Sequence, residues 1–209
     1  MKNSIQRFPL ILNVLSGVFI ATLLFSMYQP HSRPVWIAEI LPVVGVFSIV
    51  LLISRRFTFS NTAYLLMFVW LILHTIGAKY TFAEVPFDWF NHLIGSERNH
   101  FDRVAHYSIG FYAYPIAEYL YRKGHAKPLI CSLFGLFAIM AIAAGYEIIE
   151  WWYAELAGGD EGIAFLGSQG DIWDAQKDML CDTLGALTSL VLFSFAFKRM
   201  PKQHITVYV

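Results

Sequence analysis

Apolar runs of membrane-crossing length, separated by short polar breaks, fill most of the chain. Six of them, at residues 8–28, 35–53, 62–80, 104–121, 128–147 and 178–197, approach or reach the roughly 20 residues that cross about 30 Å of hydrocarbon. Pro42 and Pro115 lie inside the second and fourth runs, where a membrane helix tolerates a proline kink if neighbouring groups satisfy the freed carbonyl. The first run has a short basic lead, Lys2 and Arg7, but no small-residue cleavage site follows Tyr28, so an uncleaved anchor is expected rather than a signal peptide. The expectation is an all-α polytopic bundle of six transmembrane helices. It forms a single domain over residues 1–209, with longer polar connections near 81–103 and 154–177.

Composition agrees with that class and narrows the partners. The chain is 57% hydrophobic and only 14% charged, with a mean hydropathy of +0.52, too apolar for a soluble domain of this length. A net charge of zero argues against a nucleic-acid partner or an electrostatic membrane tether. The placement of the charges says more. Lys2, Arg7, Arg55, Arg56, Arg122, Lys123, Lys127, Lys198, Arg199 and Lys202 make ten of the fifteen basic residues and fall on one set of alternate ends. Arg33, Lys79, Arg98, Arg103 and Lys177 fall on the other. Cytoplasmic flanks carry the excess, so both termini are expected inside and the two long connections outside. Cys131 and Cys181 belong to opposite ends of the bundle and read as packing residues.

Asp171, Asp174, Asp178 and Asp182 are spaced at offsets of zero, three, seven and eleven, which puts them on one helical face descending from the interface into apolar surroundings. A carboxylate in hydrocarbon costs several kcal/mol or more unless it is paired, protonated or cation-bound. Capping of a helix N-terminus accounts for Asp171 and Asp174 as well as a site does, but it cannot account for Asp178 and Asp182. Other ionisable groups fall at the same end: Asp102 and His106, four apart, Glu147 and Glu150, three apart at the end of the fifth run, and His74 on the third. His92, His100 and Asp88 are expected to be solvated, and Glu39 and Glu118 take no role. Trp89, Trp151, Trp152 and Trp173 suit an interfacial belt. Gly158, Gly159, Gly162, Gly167 and Gly170 suggest a flexible connector more than a lid.

The segment Asp102-Arg103-Val104-Ala105-His106-Tyr107 resembles the opening motif of VanZ-like membrane domains. Gly145-Tyr146-Glu147-Ile148-Ile149-Glu150 resembles their glycine–glutamate segment, and the stretch from Asp178 to Ala186 resembles their closing motif. Over its full length the chain resembles YjdF-type bacterial inner-membrane proteins, a family without an established activity. Glu150 stands where VanZ-like domains usually carry glutamine, and Asp182 where they carry asparagine. The arginine usual between those two helices is missing from the loop, so anion binding is not carried over. The VanZ resemblance implies a link to glycopeptide resistance and the cell envelope.

Carboxylates this dense beside one or two histidines suit Mg, Mn or Ca, or Zn with mixed ligands. Glu147, Asp178, Asp182 and His106 are the candidate metal ligands, and Asp102, His106, Glu150 and Asp174 the candidate catalytic groups. A divalent metal there can polarise a phosphate or carbonyl of a lipid-linked envelope substrate and activate a water. The serine elbow, the phosphate-cradling glycine loop, His-Glu-x-x-His and Cys-x-x-Cys are not in the sequence. Two rivals stay open: an ion-coupled transporter, disfavoured by the lack of a visible repeat, and a non-catalytic envelope partner whose acids bind a cation as a brace.

Overall fold

The computed structural model describes residues 7–201 and is helical, with no strand among the described residues. Lys2 and Lys202, which entered the charge count, lie outside them. Five helices are long and apolar enough to cross a membrane: α1 (Leu10–Met27), α2 (Arg33–Ser54), α3 (Asn61–Lys79), α7 (Pro128–Ala157) and the last, α9 (Asp174–Ala196). Between them lie α4 (Asp88–Leu93), α5 (Phe101–Ile109), α6 (Ala113–Arg122) and α8 (Gly159–Leu166). Of these five, α3 is the most buried and α1 the least, so α3 is the central post and α1 the most outward-facing. It packs on α1, α2, α5 and α6, while α9 packs on α5, α6 and α7.

The fourth apolar run departs from the expected single span. It is α5, a 3₁₀ turn at Gly110–Tyr112 and α6, each α-helix too short to cross alone. Two causes are visible. Pro115 has no N–H for the Phe111 carbonyl, which an unbroken helix would need. Gly110 also lies against the backbone of α9, where a Cβ would run into Asp182 O and Ala186 N.

The fifth run is longer than expected. α7 is a 30-residue helix, about 45 Å long at about 1.5 Å per residue. It passes 147 because Ile148, Ile149, Trp151 and Trp152 continue its exposed apolar surface. Glu147 and Glu150 are therefore inside a helix rather than at its C-terminus. α9 likewise begins at Asp174, four residues before the expected start. The glycine-dense stretch is not a simple connector, since it holds α8. There Phe165 stacks on Tyr153 at 4.1 Å between centroids, and Gly162 fits against Ala154, where a Cβ would crowd the carbonyl.

Caps and a latch hold the far end. Ser60 caps α3, accepting from the Ala63 amide at 3.2 Å, and donates from N and Oγ to Glu118 at 2.8 and 2.6 Å. Arg122 Nη1 donates to Glu118 at 2.6 Å and to Thr58 O at 2.8 Å. Glu118, given no role from sequence, is the buried tie between α6 and the α2–α3 turn.

Candidate functional site

The site forms where the N-terminal ends of α5 and α9 meet the later half of α7. Asp174, Asp178 and Asp182 are all buried on α9, and Gly185, Ala186 and Ser189 continue the same face. Small residues let membrane helices approach closely, and here they are needed. A Cβ on Gly185 would strike the Tyr107 carbonyl. That contact sets His106, one residue earlier, against Asp182.

His106 sits among three carboxylates. Its Nδ1 lies 3.2 Å from Asp182 Oδ1. Its Nε2 lies 3.6 Å from Asp102 and 3.9 Å from Asp178, too far for hydrogen bonds. Asp102, His106 and Asp178 each offer a ligand atom within 4.8 Å of the others. Glu147 is half-buried and Glu150 buried on the facing side of α7. Both feel the charges of His106 and Asp102, and Glu147 Oε1 is buried with no hydrogen-bond partner among the described residues.

The aspartates nearest the loops are neutralised by arginines that sequence reasoning did not place in the site. Arg103 bridges Asp174 and Asp178 in close ion pairs. It also lies 3.5 Å from Asp171 and donates to Asp174 O at 3.3 Å. Arg98 Nη2 donates to Asp174 Oδ1 at 2.6 Å and Arg98 Nη1 to Ser168 O. A signal for Arg103 was available: it stands inside the Asp102–His106 motif, about 100° round the helix from Asp102, and buried acids need cations.

The connecting loops are tied over this end. Asn99 N donates to Gln169 Oε1 and Gln169 Nε2 donates back to Asn99 O, both at 3.0 Å. Asp171 lies in a turn before α9 and is bonded by Lys177 at 2.6 Å. Hydrogen bonds from Lys177 and the Trp173 amide hold its carboxyl below the usual range. His100, expected to be solvated, is half-buried and paired with Ser96 Oγ at 2.8 Å. Burial, with Arg98 and Arg103 nearby, holds its imidazole below the usual histidine range. Asp88 and His92 are exposed.

His74 does not join the aspartates. It pairs with Glu39 at 2.9 Å, and Tyr146 Oη donates to the same carboxylate oxygen at 2.7 Å. A cavity of about 120 Å³ lies between the two groups, lined by Val46, Ile139 and Ile142 and walled by His74, Tyr146, His106 and Asp182.

These features define a multi-pass membrane protein with a buried acid, histidine and arginine cluster at one end of its bundle. The chain belongs to the family described as "Predicted membrane protein (DUF2238)", whose model matches residues 11–199. It is also 34% identical over 190 residues to "Inner membrane protein YjdF" of Escherichia coli (strain K12), covering 89% of this chain and 90% of that protein. No solved structure matches.

Proposed function

We propose that the protein is an inner-membrane enzyme in which a divalent metal at the Asp102–His106–Asp178 cluster promotes hydrolysis or group transfer on a lipid or lipid-linked substrate of the cell envelope. The observation that carries this reading is the setting of His106. A carboxylate behind Nδ1 fixes the ring, while Nε2 faces two carboxylate oxygens at 3.6 and 3.9 Å with no hydrogen bond to either. Ligands about 2.1 Å from a tetrahedral ion stand roughly 3.4 Å apart, and an orienting carboxylate on the other ring nitrogen is the usual companion of a metal-bound histidine. Glu147, with its unpartnered buried oxygen, completes the ligand set. Asp182 is better suited to orient His106 than to bind the ion directly.

The metal supplies Lewis acidity and an activated water when bound. Glu150 is the nearby carboxyl group for proton transfer, and Asp174 positions Arg98 and Arg103 rather than touching substrate. We read α5, the 3₁₀ turn and α6 together as a fourth crossing, which would make six spans with both termini in the cytoplasm and the cluster at the outer face. The excess of Lys and Arg at the other end supports that orientation. The VanZ-like likeness over residues 102–186 supports an envelope substrate and membrane lipids as partners.

A second reading has its own support. Arg103 already neutralises Asp174 and Asp178, so the cluster also suits a structural brace, with or without a cation. Metal analysis of the purified protein and of Asp178→Asn separates the two. About one equivalent of metal, lost in the variant, together with metal-dependent turnover of envelope lipid extract, supports the enzyme. Substoichiometric metal in every preparation removes it. The transporter reading would return if proteoliposomes showed cation uptake that Asp178→Asn abolished.

A further inference from the structure

We infer that the seam between α2 and α7 is a slot for one acyl chain of a phospholipid, whose polar end lies at the His106–Asp182 edge of the cluster. The inference deepens the enzyme reading by naming its substrate class, and it rests on that reading for the chemistry but not for the binding. α2 packs on α3 and α8, and α7 on α6, α8 and α9. The two helices are therefore joined through α8 at the cluster end, with α3 and α6 as the floor between them. Tyr146 Oη, donating to Glu39 at 2.7 Å, bridges them at that same end. Farther along, Ile53 of α2 and Phe134 of α7 flank the seam and are 36% and 58% exposed, so it opens sideways onto the surface that meets lipid.

Two cavities fill the seam end to end. The smaller, about 120 Å³, reaches His106 and Asp182 and is bordered by Pro42 and Ile142. The larger, about 320 Å³, runs on to Ile53 and Phe134, and Val46 borders both. From Pro42 to Ile53 is about 16 Å along α2 at about 1.5 Å per residue, roughly half the 30 Å of hydrocarbon in a bilayer and so the depth of one leaflet. Benzene occupies an apolar cavity of about 150 Å³, so the larger cavity alone takes one chain of roughly a dozen carbons. Its lining is aliphatic and aromatic, and the hydroxyl of Tyr112 is spent on Met67 O at 3.1 Å. An apolar slot with polar groups gathered at one end is the usual form of a ligand site. The polar end is chosen by charge: Arg98 and Arg103 lie on the loop side of the same acids, which matches a phosphate, while the chain leads away from them into the seam.

The test is photolabelling of the full chain in phosphatidylcholine nanodiscs, with phosphatidylglycerol bearing a diazirine in one palmitoyl chain as the probe. The expected result is labelling around Val46 and Phe134 that saturates and is displaced by unlabelled palmitoyl-oleoyl phosphatidylglycerol, whereas labelling of the exposed Val14 and Val18 of α1 rises in proportion to the probe. Val46→Phe fills the point where the cavities meet and should weaken labelling of the seam about tenfold, the loss expected when about two methylenes go unburied. Leu41→Phe, on the exposed surface of the same helix, should leave it unchanged. The wild-type titration stands even if a variant fails to fold. Seam labelling that rises in step with α1, or that farnesyl phosphate displaces and phosphatidylglycerol does not, overturns the inference. The two readings fail separately. Absence of metal with saturable seam labelling removes the enzyme and leaves the slot, whereas stoichiometric metal and lipid turnover with unsaturable labelling removes the slot and leaves the enzyme.

Discussion

Replacing Arg103 with methionine tests whether the aspartates of α9 are held as buried charges. The Arg103 side chain is 10% exposed and its partners Asp174 and Asp178 are 10% and 4% exposed, well outside the regime of surface pairs, which contribute about 0–1 kcal/mol. Methionine keeps the apolar stem and removes the charge, leaving two buried carboxylates uncompensated on one side. Breaking a buried pair from one partner costs about 3–5 kcal/mol, mostly through the charge left behind. The assay is reversible unfolding in mixed micelles, followed by tryptophan fluorescence. Because the loss comes from the stranded carboxylates, Arg103→Met/Asp178→Asn should be more stable than Arg103→Met alone, with a coupling of about 2 kcal/mol. Arg103→Lys should restore only part of the loss, since an ammonium cannot span two carboxylates as a guanidinium fork does. A single-variant cost below about 1 kcal/mol, or a double variant no better than the single, would refute the reasoning.

Three further outcomes are expected. Gly185→Ala should cost about 1–3 kcal/mol through its collision with the Tyr107 carbonyl, whereas Gly145→Ala, with nothing within 4 Å of the added carbon, should be neutral or slightly stabilising; the same unfolding assay reads both. Glu118→Gln should cost about 3 kcal/mol by stranding the buried Arg122, and faster proteolysis between Ser54 and Asn61 would localise the damage to the α2–α3 turn. Asp182→Asn should weaken metal binding by about 10–100-fold without abolishing it, as loss of an orienting carboxylate does, and isothermal titration with Mn²⁺ or Zn²⁺ measures it; unchanged affinity would remove Asp182 from any role behind His106.

Parts of this architecture were legible because they are local. The spacing of Asp174, Asp178 and Asp182 follows the helical repeat, and Asp102 and His106 share a face at a separation of four. The helix breaks were less legible. Pro115 was visible, but the 3₁₀ turn before it also depends on Gly110 meeting α9, a contact 72 residues away that apolar composition does not encode. α7 ran on because lipid-facing isoleucine and tryptophan after Glu147 look the same as the end of a span. Pairings across helices were hidden altogether. Glu39 meets His74 at a separation of 35 and Tyr146 at 107. Helices apolar on every side give no periodic signal for which face meets which neighbour. Glu118 was half legible: Arg122 stands four residues on along the same helix, whereas Ser60 lies 58 residues away.

The cluster is electrically divided, and the division bears on what it can hold. On the loop side, Asp171 and Asp174 face Arg98, Arg103 and Lys177, two carboxylates against three cations. Deeper in the bundle, Asp102, Asp178, Asp182, Glu147 and Glu150 have His106 as their shared basic neighbour, with Arg103 reaching only Asp178. Arg103 already pairs with Asp178, which leaves four buried or half-buried carboxylates around a single imidazole, an excess of acid that suits a bound cation. Such an excess below a cationic rim is the order in which a phosphate-bearing lipid would approach a metal: its anion drawn by the arginines, its reacting oxygen toward the ion beneath. A brace needs no such polarity, since paired charges distributed evenly would hold the helices equally well. Under the enzyme reading, Arg98→Gln should therefore raise KM for a phospholipid substrate while leaving bound metal unchanged, and Asp102→Asn should do the reverse, removing the metal while lipid binding persists. If the two variants lost metal and lipid binding together, the rim and the deeper acids would be one structural unit and the division would carry no function.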